Sequence, residues 1–117
     1  MSFVISSTWG PTDPTRAMLP FLLAQSALED GDQVLIMLFH DAVLMAMAGV
    51  GARLVPVGPP NAFEPVMSHS GAKVIACKPC FEVRGLVESA LDPRIKLGGM
   101  GAFHGAAKQP GARIVAY

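Results

Sequence analysis

Short apolar segments that alternate with segments of helical character are the feature that most constrains the fold of this chain. The clearest is residues 33–39, a continuous apolar run typical of a central parallel strand covered on both faces. Alternation of strand and helix favours an open, mostly parallel sheet with right-handed crossovers, so we predict the α/β class. The five predicted strands are residues 2–7, 33–39, 73–76, 95–97 and 113–116.

Signals at helix ends place the connecting segments. Asp13 is a helix-capping residue type and Pro14 suits the first helical position, which predicts a helix that runs to residue 28. Residues 54–57 fit either a short edge strand or an extended loop. The other predicted helices are residues 42–48, 62–70 with an interruption at Pro65, 79–91 with a break near Gly85, and 102–108.

The composition indicates how the chain is kept soluble. Hydrophobic residues make up 51% of the chain and charged residues only 15%, against a usual charged share of about a quarter. The surface therefore has few charges for a small monomer, and we expect apolar surface to be buried in a homo-oligomer. Nine basic residues balance nine acidic ones and are scattered singly, so we expect no direct binding to nucleic acid.

The pattern of apolar residues also bears on location. No stretch approaches the roughly twenty uninterrupted apolar residues of a membrane span, so we expect no membrane association. Residues 1–7 lack the basic region of a signal peptide. We therefore expect a cytoplasmic protein with one domain over residues 1–117, in which two close cysteines are more often catalytic or metal-binding than a structural disulfide.

The two cysteines of the chain, Cys77 and Cys80, are its most direct indication of chemistry. Cys77 follows an apolar run and Pro79 marks the start of a helix, so both thiols lie at a strand-to-helix junction, where backbone N–H groups favour a thiolate. Lys78, or Arg84 on the same helical face as Cys80, would assist if it points inward. One interpretation is therefore a sulfur-reactive nucleophile.

Three alternatives remain open for this pair. A thioredoxin-type dithiol fits the spacing, although Ala76 stands where an aromatic residue usually precedes the first cysteine. A zinc site would need His40, His69 or His104 as further ligands, and the sequence lacks a second C-x-x-C or H-x-x-x-H pair. In the last alternative both cysteines are small buried hydrophobes.

Other residues at the predicted carboxyl edge of the sheet are candidates for substrate binding, because ligands bind there in open parallel sheets. His40 would pair with a substrate anion or tune a thiol, or else cap and pack beside Asp41. Gly99 and Gly101 would offer backbone N–H groups to an anion such as a persulfide or sulfite, or form a tight turn that needs positive φ. Trp9 would wall the cleft or simply pack.

Several segments together resemble one protein family. Residues 10–13 read Gly-Pro-Thr-Asp after the first strand, and residues 40–43 read His-Asp-Ala-Val after the second. The most specific part is residues 71–85, which read Gly-Ala-Lys-Val-Ile-Ala-Cys-Lys-Pro-Cys-Phe-Glu-Val-Arg-Gly, and residues 97–103 read Leu-Gly-Gly-Met-Gly-Ala-Phe. In these segments the chain resembles the DsrE/DsrF-like family of small sulfur-relay proteins.

The resemblance implies a three-layer α/β sandwich around the sheet, assembled as a dimer, trimer or hexamer. It implies that Cys77 accepts sulfane sulfur as a persulfide or thiosulfonate and passes it on, with Cys80 as an auxiliary or resolving thiol. Arg84 would stabilise the thiolate or an anion. The partners would be sulfur donor and acceptor proteins or small sulfane-sulfur compounds, and no cofactor is implied.

Whether the chain acts as a sulfurtransferase-like carrier is left open by the sequence. One alternative is a non-catalytic oligomeric module for binding or assembly, in which the cysteines are incidental. Another is a zinc-binding regulatory protein.

Overall fold

The five apolar segments form the strands of one sheet in the computed structural model, which describes residues 1–117. Adjacent strands are parallel throughout and lie in the order β4-β3-β2-β1-β5, so the prediction of an α/β fold is confirmed. The strands are β1 (Ser2–Ser7), β2 (Gln33–Leu38), β3 (Ala72–Cys77), β4 (Lys96–Gly98) and β5 (Ala112–Ala116).

Five α-helices and two 3₁₀ helices connect the strands. None of the helices combines the length and the apolar character that crossing a bilayer requires. The α-helices are α1 (Pro14–Glu29), α2 (Val50–Arg53), α3 (Phe63–Met67), α4 (Lys78–Val83) and α5 (Met100–Ala107), and the 3₁₀ helices are η1 (His40–Ala46) and η2 (Glu88–Ala90).

The longest helix packs on the central strands and contributes one side of the core. Helix α1 begins as the sequence predicts, because the Asp13 side chain accepts a hydrogen bond from the backbone N–H of Arg16 and Pro14 occupies the first turn. Its buried side chains include Met18 and Phe21. They pack against a row of side chains that crosses the sheet. In this row Ile36 of β2 lies between Ile5 of β1 and Val74 of β3.

The strand order places helices on both faces of the sheet. The chain moves in one direction from β1 to β4 and then reverses to reach β5, so right-handed crossovers put α5 on the face opposite α1. Phe103 of α5 packs edge-to-face against Phe39, with ring centroids 5.7 Å apart. The result is the three-layer arrangement that the family resemblance implies.

One connecting segment differs from the prediction, and for a second the structure decides for the extended loop over the edge strand, because tertiary hydrogen bonds use their backbone groups. Residues 42–48 are predicted to be a helix, whereas the structure has η1, which ends at Ala46. The N–H of Asp92 donates to the carbonyl of Ala46, and the N–H of Ala48 donates to the carbonyl of Ala90. Residues 54–57 form no strand, since Pro56 has no N–H and Val57 donates its own to Thr15 Oγ1 at 2.8 Å.

The helix after the cysteines ends at the break predicted near Gly85. It ends at Val83 and does not continue to residue 91, because Gly85 adopts φ of +69°, a left-handed conformation that stops a helix. Helix α4 therefore has only six residues, and the contribution of its dipole to the thiols is smaller than a long helix would provide. The following segment includes η2 and then β4.

A cluster of three charged residues fixes the segment before β4, and we call it the Arg94 cluster: Glu64, Asp92 and Arg94. The guanidinium donates to both carboxylates, at 2.9 and 3.0 Å to Glu64 and at 2.8 and 3.0 Å to Asp92. These hydrogen bonds hold the pKa values of both acids below their usual range. The cluster joins α3 to the segment that carries the edge strand.

Candidate functional site

The carboxyl ends of β2 and β3 bring His40 and the two cysteines together. The strands are neighbours in the sheet, with Leu38 of β2 opposite Ala76 of β3. His40 follows β2, Cys77 ends β3, and Cys80 lies in α4. Because parallel strands all end at the same edge, residues 40 positions apart in sequence meet there. This is the edge at which ligands bind in open α/β sheets.

Cys77 is an enclosed thiol. It is the last residue of β3, lies opposite Gly98 of β4, and is 7% exposed. Burial raises the pKa of this thiol above its ordinary value, and the neighbouring Cys80 thiol acts in the same direction. The N–H of Cys80 and the charge of Arg84 lower the pKa but do not reverse the change. In the resting protein Cys77 is therefore held mainly as a neutral thiol.

Cys80 is the more accessible of the two thiols. It is half-buried and, like Cys77, is not in a disulfide. Its sulfur accepts a hydrogen bond from the backbone N–H of His40 at 3.2 Å. A backbone N–H is a fixed donor, and donors of this kind stabilise negative charge on a nearby sulfur.

The conformation of His40 is unusual. It is the one residue other than glycine with a positive φ, at +53°. Left-handed backbone in such a residue costs on the order of 1 kcal/mol and is maintained only where surrounding contacts require it. Here the conformation is associated with the N–H that points at Cys80. His40 thus reaches the site through its backbone, a role that the sequence does not predict.

Arg84 and Asp41 form an ion pair beside the thiols. The guanidinium donates to Asp41 Oδ1 at 2.7 and 3.2 Å and to the carbonyl of Cys80 at 3.0 Å. Its Nη2 also lies 3.1 Å from Nδ1 of the His40 ring. The hydrogen bond from Arg84 is the main cause that lowers the pKa of Asp41. Arg84 points into the site, as the thiolate hypothesis requires, while Lys78 is exposed.

Sequence reasoning overlooked Asp41 as the partner of Arg84. The available signal was its place directly after His40 at the end of a central strand, but the arginine lies 43 residues further on. The loop after β1 also approaches this residue closely. A Cβ atom on Gly10 would lie 2.6 Å from the carbonyl oxygen of Asp41, so only glycine fits there.

That close approach shapes a small cleft over the site. The cleft has a volume of about 190 Å³ and is lined by Thr8, Trp9, Gly10, Thr12, His40 and Asp41. The guanidinium of Arg16 lies 4.4 Å from the centroid of the Trp9 ring, a cation–π contact that holds the indole in place. A larger groove of about 470 Å³ opens at the amino edge of the sheet, at the opposite ends of the strands from the cysteines.

The two candidate glycines lie on the next strand connection. Gly99 precedes α5 with extended backbone, and Gly101 lies within α5. Neither has a positive φ, so the alternative of a tight left-handed turn is wrong. Gly98, opposite Cys77, brings this segment to the carboxyl edge where anion binding by Gly99 and Gly101 was predicted.

The remaining histidines are not gathered at the cysteines. His69 accepts a hydrogen bond from the N–H of Gly71 at 3.0 Å, at the amino end of β3. His104 is an exposed residue of α5. No group of three or more His, Cys, Asp or Glu side chains is arranged to hold a metal ion, so the zinc alternative finds no ligand set.

Comparison with known proteins gives one family and several similar structures. A model of the DsrE/DsrF-like family matches residues 1–117. YchN of Escherichia coli aligns with a TM-score of 0.81 and 18% identity, over 100% of this chain and 99% of YchN. A search of curated proteins gives no match.

Two further solved structures show the same fold at lower similarity. MTH1491 of Methanobacterium thermoautotrophicum aligns with a TM-score of 0.65 and 10% identity, over 99% of this chain and 97% of the other. BT1422 of Bacteroides thetaiotaomicron aligns with a TM-score of 0.64 and 21% identity, over 99% of this chain and 94% of the other. At these identities the structural likeness establishes the fold alone.

Proposed function

The chain belongs to the DsrE/DsrF-like family, and on that premise we propose that it is a sulfurtransferase-like carrier of sulfane sulfur. The sulfur is held on Cys77 as a persulfide and then passed to a partner. The observation that supports this most is the pairing of two free thiols at the carboxyl edge of the sheet, next to a backbone N–H donor and a guanidinium.

The chemistry is a nucleophilic exchange at sulfur. A cysteine thiolate attacks the outer sulfur of a donor persulfide, R–S–SH, so a new S–S bond forms as the donor's S–S bond breaks. The leaving group R–S⁻ takes up a proton, and the cysteine becomes a persulfide. The sulfane sulfur keeps its oxidation state and no external oxidant is consumed. With tetrathionate the same attack yields a thiosulfonate adduct and releases thiosulfate.

The surroundings of the two thiols suit a carrier. Cys77 is enclosed, so a sulfur held there is separated from water and from unselective thiols. Arg84 supplies positive charge near both sulfurs, in the role of an anion stabiliser. His40 supports the proposal through its backbone N–H, while Gly99 and Gly101 are proposed to face the anionic end of the donor.

The proposal includes a location and a state of assembly. Two free thiols are most readily maintained in a reducing compartment, which supports the cytoplasm. Large apolar side chains are exposed at Val57, Val83 and Met100, by 81%, 80% and 62%. Together with the low content of charge, they support a homo-oligomer. Donor and acceptor would be proteins of a sulfur relay or small sulfane-sulfur compounds.

Intact-mass analysis tests the carrier function. The reduced protein is incubated with polysulfide or tetrathionate, desalted, and weighed beside the double variant Cys77→Ser/Cys80→Ser. We expect adducts in sulfur-sized or thiosulfonate-sized steps on the wild type and none on the double variant. A wild-type protein that gains no adduct from either donor would contradict the proposal.

The exposed apolar side chains favour a second candidate, an oligomeric module whose cysteines are incidental. Size-exclusion chromatography with light scattering measures the assembly directly. A mass equal to the 12.3 kDa monomer would rule out the module and the homo-oligomer together. A stable oligomer whose thiols take up no sulfur would favour the module over the carrier.

A further inference from the structure

Resting on the proposed function, we infer that Cys80 is the thiol that first takes sulfur from the donor and that it then hands this sulfur inward to Cys77. The family resemblance alone gives Cys77 the accepting role and leaves Cys80 as an auxiliary. The contacts of the two sulfurs indicate that they act in sequence, with Cys80 as the outer thiol and Cys77 as the inner thiol.

Access is the first argument for this order. Cys77 is 7% exposed at the end of a central strand, whereas Cys80 is half-buried in a helix that faces the edge of the sheet. A donor persulfide must align its S–S bond with the attacking sulfur, which requires open space on one side of the thiol. The outer thiol has more of that space than the inner one.

Activation is the second argument. The sulfur of Cys80 receives the N–H of His40 at 3.2 Å, a donor from another part of the chain, whereas the Cys77 thiol has the N–H of Cys80 beside it but burial outweighs the effect of that donor. Burial also raises the pKa of Cys77, which lowers the fraction of this thiol that is ionised in the resting protein. The charged and titratable groups around Cys80 are Arg84 from the position directly after α4, His40 and Asp41 from η1, and Cys77 from β3.

The transfer balances in two steps. The Cys80 thiolate attacks the outer sulfur of R–S–SH, which forms Cys80–S–SH and releases R–S⁻. Cys77 then gives its proton to solvent as its sulfur attacks the outer sulfur of Cys80–S–SH. This forms Cys77–S–SH, and the S–S bond of Cys80 breaks. The transferred sulfur keeps its own proton, so Cys80 leaves as a thiolate and is ready for the next donor. No net oxidation occurs in either step.

Time-resolved loading of single variants tests this order. Wild type, Cys77→Ser and Cys80→Ser are mixed with glutathione persulfide at neutral pH, quenched with iodoacetamide, and mapped by peptide mass spectrometry. We expect the extra sulfur of the wild type on Cys80 first and on Cys77 later. Cys77→Ser should load at a rate near that of wild type and keep its sulfur on Cys80. Cys80→Ser should load at least about tenfold more slowly, a difference of about 1.4 kcal/mol in the barrier.

The outcomes separate this inference from the proposed function. If Cys80→Ser loads Cys77 as fast as wild type, the order is overturned while the carrier function stands. If wild type shows the sulfur on Cys77 before Cys80, the order is overturned in the same way. If neither wild type nor any variant takes up sulfur from any donor, the proposed order and the carrier function fail together. That result is distinct from the two outcomes that overturn the order alone. Circular dichroism of each variant confirms that a slow rate does not come from loss of the fold.

Discussion

Arg84 and Arg94 both bind carboxylates that are distant in sequence, but their guanidinium groups are used differently. Arg94 makes four hydrogen bonds to side chains, all to Glu64 and Asp92. Arg84 binds only one carboxylate, that of Asp41. Its other contacts are with the carbonyl of Cys80 and the ring of His40. Two carboxylates outweigh the charge of Arg94, whereas Arg84 is balanced by the single carboxylate of Asp41 and its remaining N–H groups face the site. The comparison indicates that Arg94 mainly stabilises the fold, whereas Arg84 mainly contributes to the site at the two thiols.

Replacing Arg94 should have the largest effect, and it should be an effect on stability. Arg94→Gln removes the guanidinium from Asp92, which is 5% exposed and keeps only the backbone N–H of residue 94, and we expect the free energy of unfolding to fall by about 2 kcal/mol. Urea denaturation measures the change, and sulfur loading by the folded variant should match wild type. A loss below about 0.5 kcal/mol would place Arg94 among ordinary surface residues and break the comparison.

Replacing Arg84 should act on the chemistry instead. Arg84→Gln removes the charge beside both thiols, so we expect sulfur loading to slow about tenfold, with stability changed by less than about 1 kcal/mol. Lys78→Gln is the matched control, because Lys78 is an exposed cation next to Cys77 in sequence and should leave the rate unchanged. Equal slowing in both variants would show that general positive charge, rather than the position of Arg84, assists the reaction.

The pH dependence of stability should also differ between the Arg94 and Arg84 variants, by a smaller amount. The folded-state pKa values of Asp92, Glu64 and Asp41 are all lowered, so their contribution to stability is present above the ordinary carboxyl pKa of about 4 and is lost as the pH falls through the lowered values. We therefore expect Arg94→Gln to flatten the acid side of the stability profile more than Arg84→Gln, since Arg94 lowers two pKa values. Urea midpoints between pH 2 and pH 6 measure this, and equal flattening would contradict it.

Neutralising Asp41 should have the smallest effect. Asp41→Asn removes the carboxylate that offsets Arg84, so loading should rise by about two- to threefold, the scale of an exposed ion pair. In the background of Arg84→Gln the same substitution should have no effect, which a double-mutant cycle of loading rates reveals. Slowing on Asp41→Asn would mean that Asp41 acts by positioning the guanidinium rather than by screening its charge.

Most of the fold could be predicted because it depends on local patterns. The apolar runs give the strands, and Asp13 with Pro14 gives the start of α1. The errors arise where contacts from other parts of the chain decide the conformation. η1 is cut short by hydrogen bonds to residues 90 and 92, and the segment after the break at Gly85 forms η2 instead of a continued α-helix.

The site could be located from sequence, but its internal arrangement could not. The ends of β2 and β3 place His40 and Cys77 at one edge once a parallel sheet is assumed. The left-handed backbone of His40 and the reach of Arg84 to Asp41 depend on how η1 packs against α4. No spacing in the chain encodes these two features, and the first of them places the His40 N–H on Cys80.

The position of β1 has a consequence for the order in which the protein is made. β1 lies between β2 and β5, so β1 is synthesised well before the strand that pairs with one of its two sides. A ribosome that has released residues 1–111 leaves that side of β1 as an open row of hydrogen-bonding groups, a template for other chains. Because parallel pairing offers no local hairpin, closure waits for contacts between distant residues and is slow. Until β5 emerges, a nascent chain is thus exposed to misassembly at this side of β1.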